Sequence, residues 1–217
     1  MNEVPVLMAL YDLLPVLLFF AAAVILQRDL YGKLVKGAYA LLATGSVLVL
    51  LAGVYKALYK ILLAIGLCEY PILGKLLFPL QAPGFLFVFL SLLGTLLQKK
   101  KQTVLLSAAV PVYDGMLPFI ALEVVSCAGF QICLALLALR MKKRSAAALF
   151  LLSLFGMLIM GWLSAKFDST EGMNWLAQSV NTLWNGALLA GVWLLHRSGL
   201  AGTDVFRREE RHAGTNA

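Results

Sequence analysis

Charge is scarce in this sequence. Only 13% of its 217 residues are Asp, Glu, Lys or Arg, and 61% are hydrophobic; a soluble domain carries about twice that charged share. Histidine is scarcer still. His196 and His212 are the whole complement, and both fall near or past the last apolar stretch, where solvated interfacial positions are expected. The three cysteines, Cys68, Cys127 and Cys133, form no C-x-x-C and no Cys/His set, which leaves a structural zinc site without ligands. Cys127 and Cys133 lie too far apart on one predicted helix to bridge. No G-x-S-x-G, H-E-x-x-H, Walker A or G-x-G-x-x-G motif occurs, so nucleophilic, metal and nucleotide chemistry have no footing here. No cofactor is expected. The opening MNEVPV lacks the positive n-region of a secretory signal, so the first apolar stretch is expected to remain as a span.

What is present is apolar sequence in long runs. Runs of 18 or more nearly uncharged residues recur, and each is long enough to cross a bilayer. They leave no room for a separate soluble domain, so the chain reads as one all-α polytopic membrane domain over 1–217. Basic clusters punctuate it: QRDLYGKLVK (27–36), QKKK (98–101), RMKKR (140–144) and the tail from His196 hold 14 of the 18 Lys and Arg. If all four are cytoplasmic, as the positive-inside rule requires, an even number of crossings separates each pair. That parity predicts seven spans, at about 5–27, 37–58, 77–97, 103–117, 118–139, 145–166 and 175–195, with the N-terminus outside and 196–217 a short cytoplasmic tail in a cell (inner or plasma) membrane. The fourth is short and holds Pro111 and an Asp114-Gly115 turn signal. A tilted or kinked helix keeps QKKK and RMKKR on one side; a re-entrant hairpin would separate them. The net charge of +7 suits an anionic-lipid surface better than nucleic acid.

The first three spans can be laid over the last three. KGAYALLATGSVLVLLAGVYKAL (36–58) meets RSAAALFLLSLFGMLIMGWLSAK (144–166), matching Ala38 with Ala146, Leu41 with Leu149 and Gly53 with Gly161; Arg28 meets Arg140 and Gln81 meets Gln178. Each half carries an acid on its first helix (Asp12, Glu123), a lysine ending its second (Lys56, Lys166) and a glutamine on its third. The repeat is parallel, with span four as the inverting linker. This 3+1+3 layout resembles the SWEET and PQ-loop transporters and, more loosely, the seven-helix grouping of transporters, opsins and receptors. The resemblance is topological: PLQAPGF (79–85) holds Pro and Gln, but not as the adjacent pair of PQ-loop proteins, and no functional residue carries over. Span seven has no lysine between Trp175 and Leu195 for a retinal Schiff base.

Helix rise places Asp12, Lys56, Gln81, Glu123, Lys166 and Gln178 in one layer of the outer half, at about 1.5 Å per residue. A charged carboxylate facing lipid costs several kcal/mol, so Asp12 and Glu123 are expected to face inward, either protonated or paired with Lys56 and Lys166. The lysines could instead snorkel to the headgroups, and the acids could make purely structural bonds between helices. In span seven Asn174, Gln178, Asn181 and Asn185 fall within about 60° of one another around the helix. Leu188, Leu189, Val192 and Leu195 continue that face downward. A stripe polar above and apolar below describes one wall of a vestibule open outward and closed toward the cytoplasm. Amides offer donors and acceptors without charge; the competing role is to glue helices together. Pro79, Pro83 and Gly84 are expected to kink span three, and Gly45, Gly53, Gly156 and Gly161 to let backbones approach.

The expected function is a carrier for a polar or zwitterionic small solute, held by Asp12, Lys56, Gln81, Glu123, Lys166, Gln178, Asn181 and Asn185, with proton coupling through Glu123 open to it. The alternatives are a seven-helix sensor using the same cavity and an accessory subunit whose polar rows bind other helices. An enzyme built on Asp12 and Glu123 is disfavoured, because no nucleophile or oxyanion donors accompany them.

Overall fold

A computed structural model describes residues 5–67, 70–97, 117–165 and 170–203. All regular structure among them is helical: α1 (Val6–Tyr11), α2 (Leu13–Leu30), α3 (Lys36–Ala64), α4 (Pro71–Lys75), α5 (Leu77–Leu97), α6 (Leu117–Arg140), α7 (Arg144–Ala165) and α8 (Glu171–Arg197). Five stretches are long and apolar enough to cross a membrane: Val6–Leu30, Lys36–Ala64, Pro71–Leu97, Leu117–Arg140 and Arg144–Leu163. They point to a membrane protein. α8 matches them in length, at 27 residues, but its carboxamides make it less apolar. Lys166, Cys68 and the expected fourth span at 103–117, save Leu117 at the start of α6, lie outside the described residues.

The long helices form a closed ring. In order round it stand α2, α3, α5, α6, α7 and α8, and α8 packs back against α2. Two neighbouring pairs run parallel. Along α5 and α6, Phe85 meets Phe130 and, further down, the Arg140 guanidinium donates to the Leu96 carbonyl at 3.4 Å. Along the α1–α2 span and α8, Tyr11 and Trp175 meet near one end, while Arg28 and His196 meet at the other.

Local chemistry explains the irregularities. The first span breaks at Asp12, which caps α1 and opens α2. Pro15 lies three residues on; its ring clashes with the carbonyl four residues back, that of Tyr11, where α1 ends. α3 runs to Ala64 rather than stopping near 58. Lys56 is therefore inside the helix, two turns from its end, which corrects the expectation that it terminates the span. α5 continues through Pro83 as one helix. Where α3 crosses α5, a Cβ on Gly45 would stand 2.5 Å from the Gly84 oxygen, so only glycine allows that approach. Gly156 is similarly tight against Trp184, at 2.7 Å, whereas a Cβ on Gly161 would make only ordinary contact, 3.9 Å from Val124.

Three helices end on the same device. After α3, α6 and α8, an amide bonds five residues back and the one before it three back, about a residue in the left-handed region. This is the Schellman pattern. The residue is Gly66, Lys142 and Gly199, with φ of 67°, 59° and 81°.

Candidate functional site

One cavity is enclosed by the ring, and all six long helices line it. It measures about 1080 Å³ counting the space at its mouth. Seven of the eight residues predicted from sequence line its wall: Asp12, Lys56, Gln81, Glu123, Gln178, Asn181 and Asn185. The eighth, Lys166, is among the residues not described.

The kink at Asp12 sets its carboxylate inside the bundle, where it is 4% exposed. Among the described residues its partner is not the expected Lys56. Lys60, one helical turn beyond Lys56, places its ammonium 2.8 Å from Asp12 Oδ2. That contact is an ion pair without hydrogen-bond alignment, and Oδ1 has no hydrogen-bond partner. Lys56 is left facing the cavity, in the electrostatic field of Asp12, Lys60 and Glu123 but in direct ion pair with no described carboxylate. Glu123 on α6 is its counterpart: Oε2 is buried and hydrogen-bonded to nothing among the described residues.

The amide row on α8 bonds along its own helix. Asn181 Nδ2 donates to Gln178 Oε1 at 3.4 Å, and Asn185 Nδ2 donates to the Asn181 carbonyl at 2.9 Å and to its Oδ1 at 3.1 Å. Asn174 Nδ2 donates to the Thr170 carbonyl at 3.1 Å. Bonds that join helices lie elsewhere. Gln131 Nε2 on α6 donates to Ser153 Oγ on α7 at 2.7 Å, and Ser153 donates to the Trp184 carbonyl on α8 at 2.9 Å. Gln131 was not singled out in the sequence because a lone glutamine in a span carries no pattern.

Below the polar layer the cavity closes on apolar side chains. Phe19 meets Phe85 edge-on at 5.9 Å, and Phe85 meets Phe130 at 6.3 Å. The face that carries the amides continues as Leu188, Val192 and Leu195, each at most 1% exposed.

A second polar cluster ties α2 to α8 at the far end of the bundle. Asp29, 1% exposed, receives His196 Nδ1 at 2.9 and 3.0 Å on its two oxygens. Arg28 lies 3.2 Å from His196 Nε2. A guanidinium only donates, so Nε2 accepts and Nδ1 carries the proton given to Asp29. Lys33 donates to the carbonyls of Leu200 and Thr203 just past α8. His196 is thus held by partners rather than simply solvated. Asp29 escaped notice because it reads as loop punctuation in QRDLYGK.

Among the described residues no group of three or more His, Cys, Asp and Glu side chains is placed to hold a metal ion. Comparison with protein-family models, with curated proteins and with solved structures finds no match to the chain.

Proposed function

We propose that the protein is a small seven-helix membrane carrier for a polar or zwitterionic solute, bound in the ring cavity. The observation that carries this reading is the cavity itself: it gathers rare polar residues from α1–α2, α3, α5, α6 and α8 onto one wall system. Buried charge without a direct partner is costly in a bilayer, and Lys56 and Glu123 bear that cost where a solute could offset it. The α8 amides bond along their own helix, which favours a solute-facing role over gluing helices together.

The topology has its own support. Parallel α5 and α6 begin at one end of the bundle and finish at the other, the relation that a single crossing between them accounts for. The basic residues Arg28, Lys33, Arg140, Lys142, Lys143, Arg144 and Arg197 gather at one end, as a cytoplasmic face would. The repeat is supported by the ring order, in which α2, α3, α5 and α6, α7, α8 follow one another head to tail. It is supported also by matched contacts: Gly53 faces Val16, and Gly161 faces Val124. On this reading the N-terminus is outside, the C-terminus cytoplasmic, and the cavity opens outward.

The test is a thermal-stability screen of detergent-purified protein against amino acids, sugars, nucleosides and polyamines. A ligand at a hundred times its Kd stabilises by about 2.7 kcal/mol. A hit lost in Glu123→Gln and Asn181→Leu supports the site, and flux of that solute into liposomes supports carriage. Binding without flux would make the protein a sensor. No hit, with both variants as stable as the parent, would remove the cavity's claim and leave an accessory subunit.

A further inference from the structure

The cavity's contents narrow the class of solute, on the premise that it is a solute site. Its charged groups are not equivalent. Asp12 and Lys60 form a direct ion pair at 2.8 Å. Lys56 on α3 and Glu123 on α6 do not: they stand on walls separated by α5, each within the other's electrostatic field but in no direct ion pair. In their ionised forms these two groups give the cavity one open cationic pole and one open anionic pole. A sugar would leave both desolvated charges unanswered, and a simple cation or anion would answer only one. The remainder of the wall is mostly apolar, with Phe78, Phe85, Met157, Met160 and Trp184 among its residues. Thioethers and aromatic faces suit an apolar group of adaptable shape.

We infer that the cavity takes a small zwitterion with an apolar side group, an α-amino acid of the leucine, methionine or phenylalanine kind. Its carboxylate meets Lys56, its ammonium meets Glu123, and its side chain rests on the Phe85–Met157–Trp184 wall. The α8 amides supply neutral hydrogen bonds at the edge of the head group. The Asp12–Lys60 pair holds the neighbouring helices and stays out of the contact.

The experiment measures the affinity of purified protein for the common amino acids, then for analogues of the tightest binder. Taking phenylalanine as the example, its amide lacks the carboxylate, and 3-phenylpropionate lacks the ammonium. Each is expected to bind at least about tenfold more weakly, as the loss of a charge-assisted contact implies. Glycine is expected to be weaker too, lacking the side group. Lys56→Gln should erase discrimination against the amide while keeping that against the propionate, and Glu123→Gln should do the reverse. The wild-type analogue series needs no variant, so a misfolded mutant does not blunt the test. Amide and propionate binding as tightly as the amino acid would overturn the inference. So would tight binding of sugars or nucleosides alone; if Asn181→Leu abolished that binding, the cavity would stand as a site while the zwitterion class fell. If no amino acid binds, the class falls, and if nothing in the wider screen binds either, the site reading falls with it.

Discussion

The two ends of this bundle solve the problem of buried polarity in opposite ways. At the end that holds Asp29 and His196, polar groups are matched across helices. Asp29 takes His196 on both oxygens, Arg28 covers the other ring nitrogen, and Lys33 ties down the carbonyls beyond α8. At the cavity end Asp12 pairs with Lys60 across helices, but Lys56 and Glu123 are not matched to each other, and Asn181 and Asn185 donate along their own helix. A polar group that joins two helices lowers the energy of the assembled ring. One that bonds within a helix adds little to assembly and stays free to change partners. The first end is built to stay shut; the second is built with bonding capacity to spare.

Breaking the closed end should produce the largest loss. His196→Leu strips the buried Asp29 of its direct partner, and destabilisation of about 3 kcal/mol is expected in a detergent denaturation series, because an orphaned buried charge is so costly. A loss under about 1 kcal/mol would mean that Arg28 alone holds the carboxylate. Next comes the crossing between the ends. Gly45→Ala forces a methyl group onto the backbone of α5, 2.5 Å from the Gly84 oxygen and 2.9 Å from the Val88 nitrogen, and overpacking of this kind costs about 2 kcal/mol in the same denaturation series. A matched pair then sharpens the contrast directly. Gln131→Leu removes a bond between helices and should cost about 1 kcal/mol, whereas Asn181→Leu should cost less than about half that. Equal losses would make the α8 amides structural and erase the distinction between the two ends. The smallest effect is a gain. Lys142 occupies the left-handed position that Gly66 and Gly199 fill elsewhere, so Lys142→Gly is expected to stabilise by up to about 1 kcal/mol, read as a rise in melting temperature.

Rare residues made the cavity legible in advance. An acid, a lysine or a glutamine inside an apolar run has few innocent explanations, so depth along each helix is enough to point to Asp12, Lys56, Gln81, Glu123, Gln178, Asn181 and Asn185, all of which line the cavity, while Asn174 at the head of the α8 row does not. Partner choice was not legible. Lys60 was overlooked for Asp12 because α3 was expected to end near 58, and whether a helix runs two more turns into an interface depends on packing that hydropathy does not encode. The phenylalanine floor was hidden for a different reason: Phe19, Phe85 and Phe130 look the same in sequence as Phe20 or Phe155, which are half exposed or more. The Asp29–His196 clasp requires residues 167 positions apart, and nothing local marks either as the mate of the other.

Ring closure by α8 has a consequence for how the chain is made. The helix that seals the circle against α2 is also the least apolar of the long helices described, and it follows the other five in the chain. Its carboxamides would sit poorly in lipid by themselves, but the earlier helices provide a ready flank and a shared interior. On the proposed seven-span reading, insertion of α8 is an act of assembly rather than of partition. A nascent chain arrested before Glu171 would hold, among the described residues, five apolar stretches with an open seam along α2 and α7, and the arrival of α8 would convert that seam into a chamber.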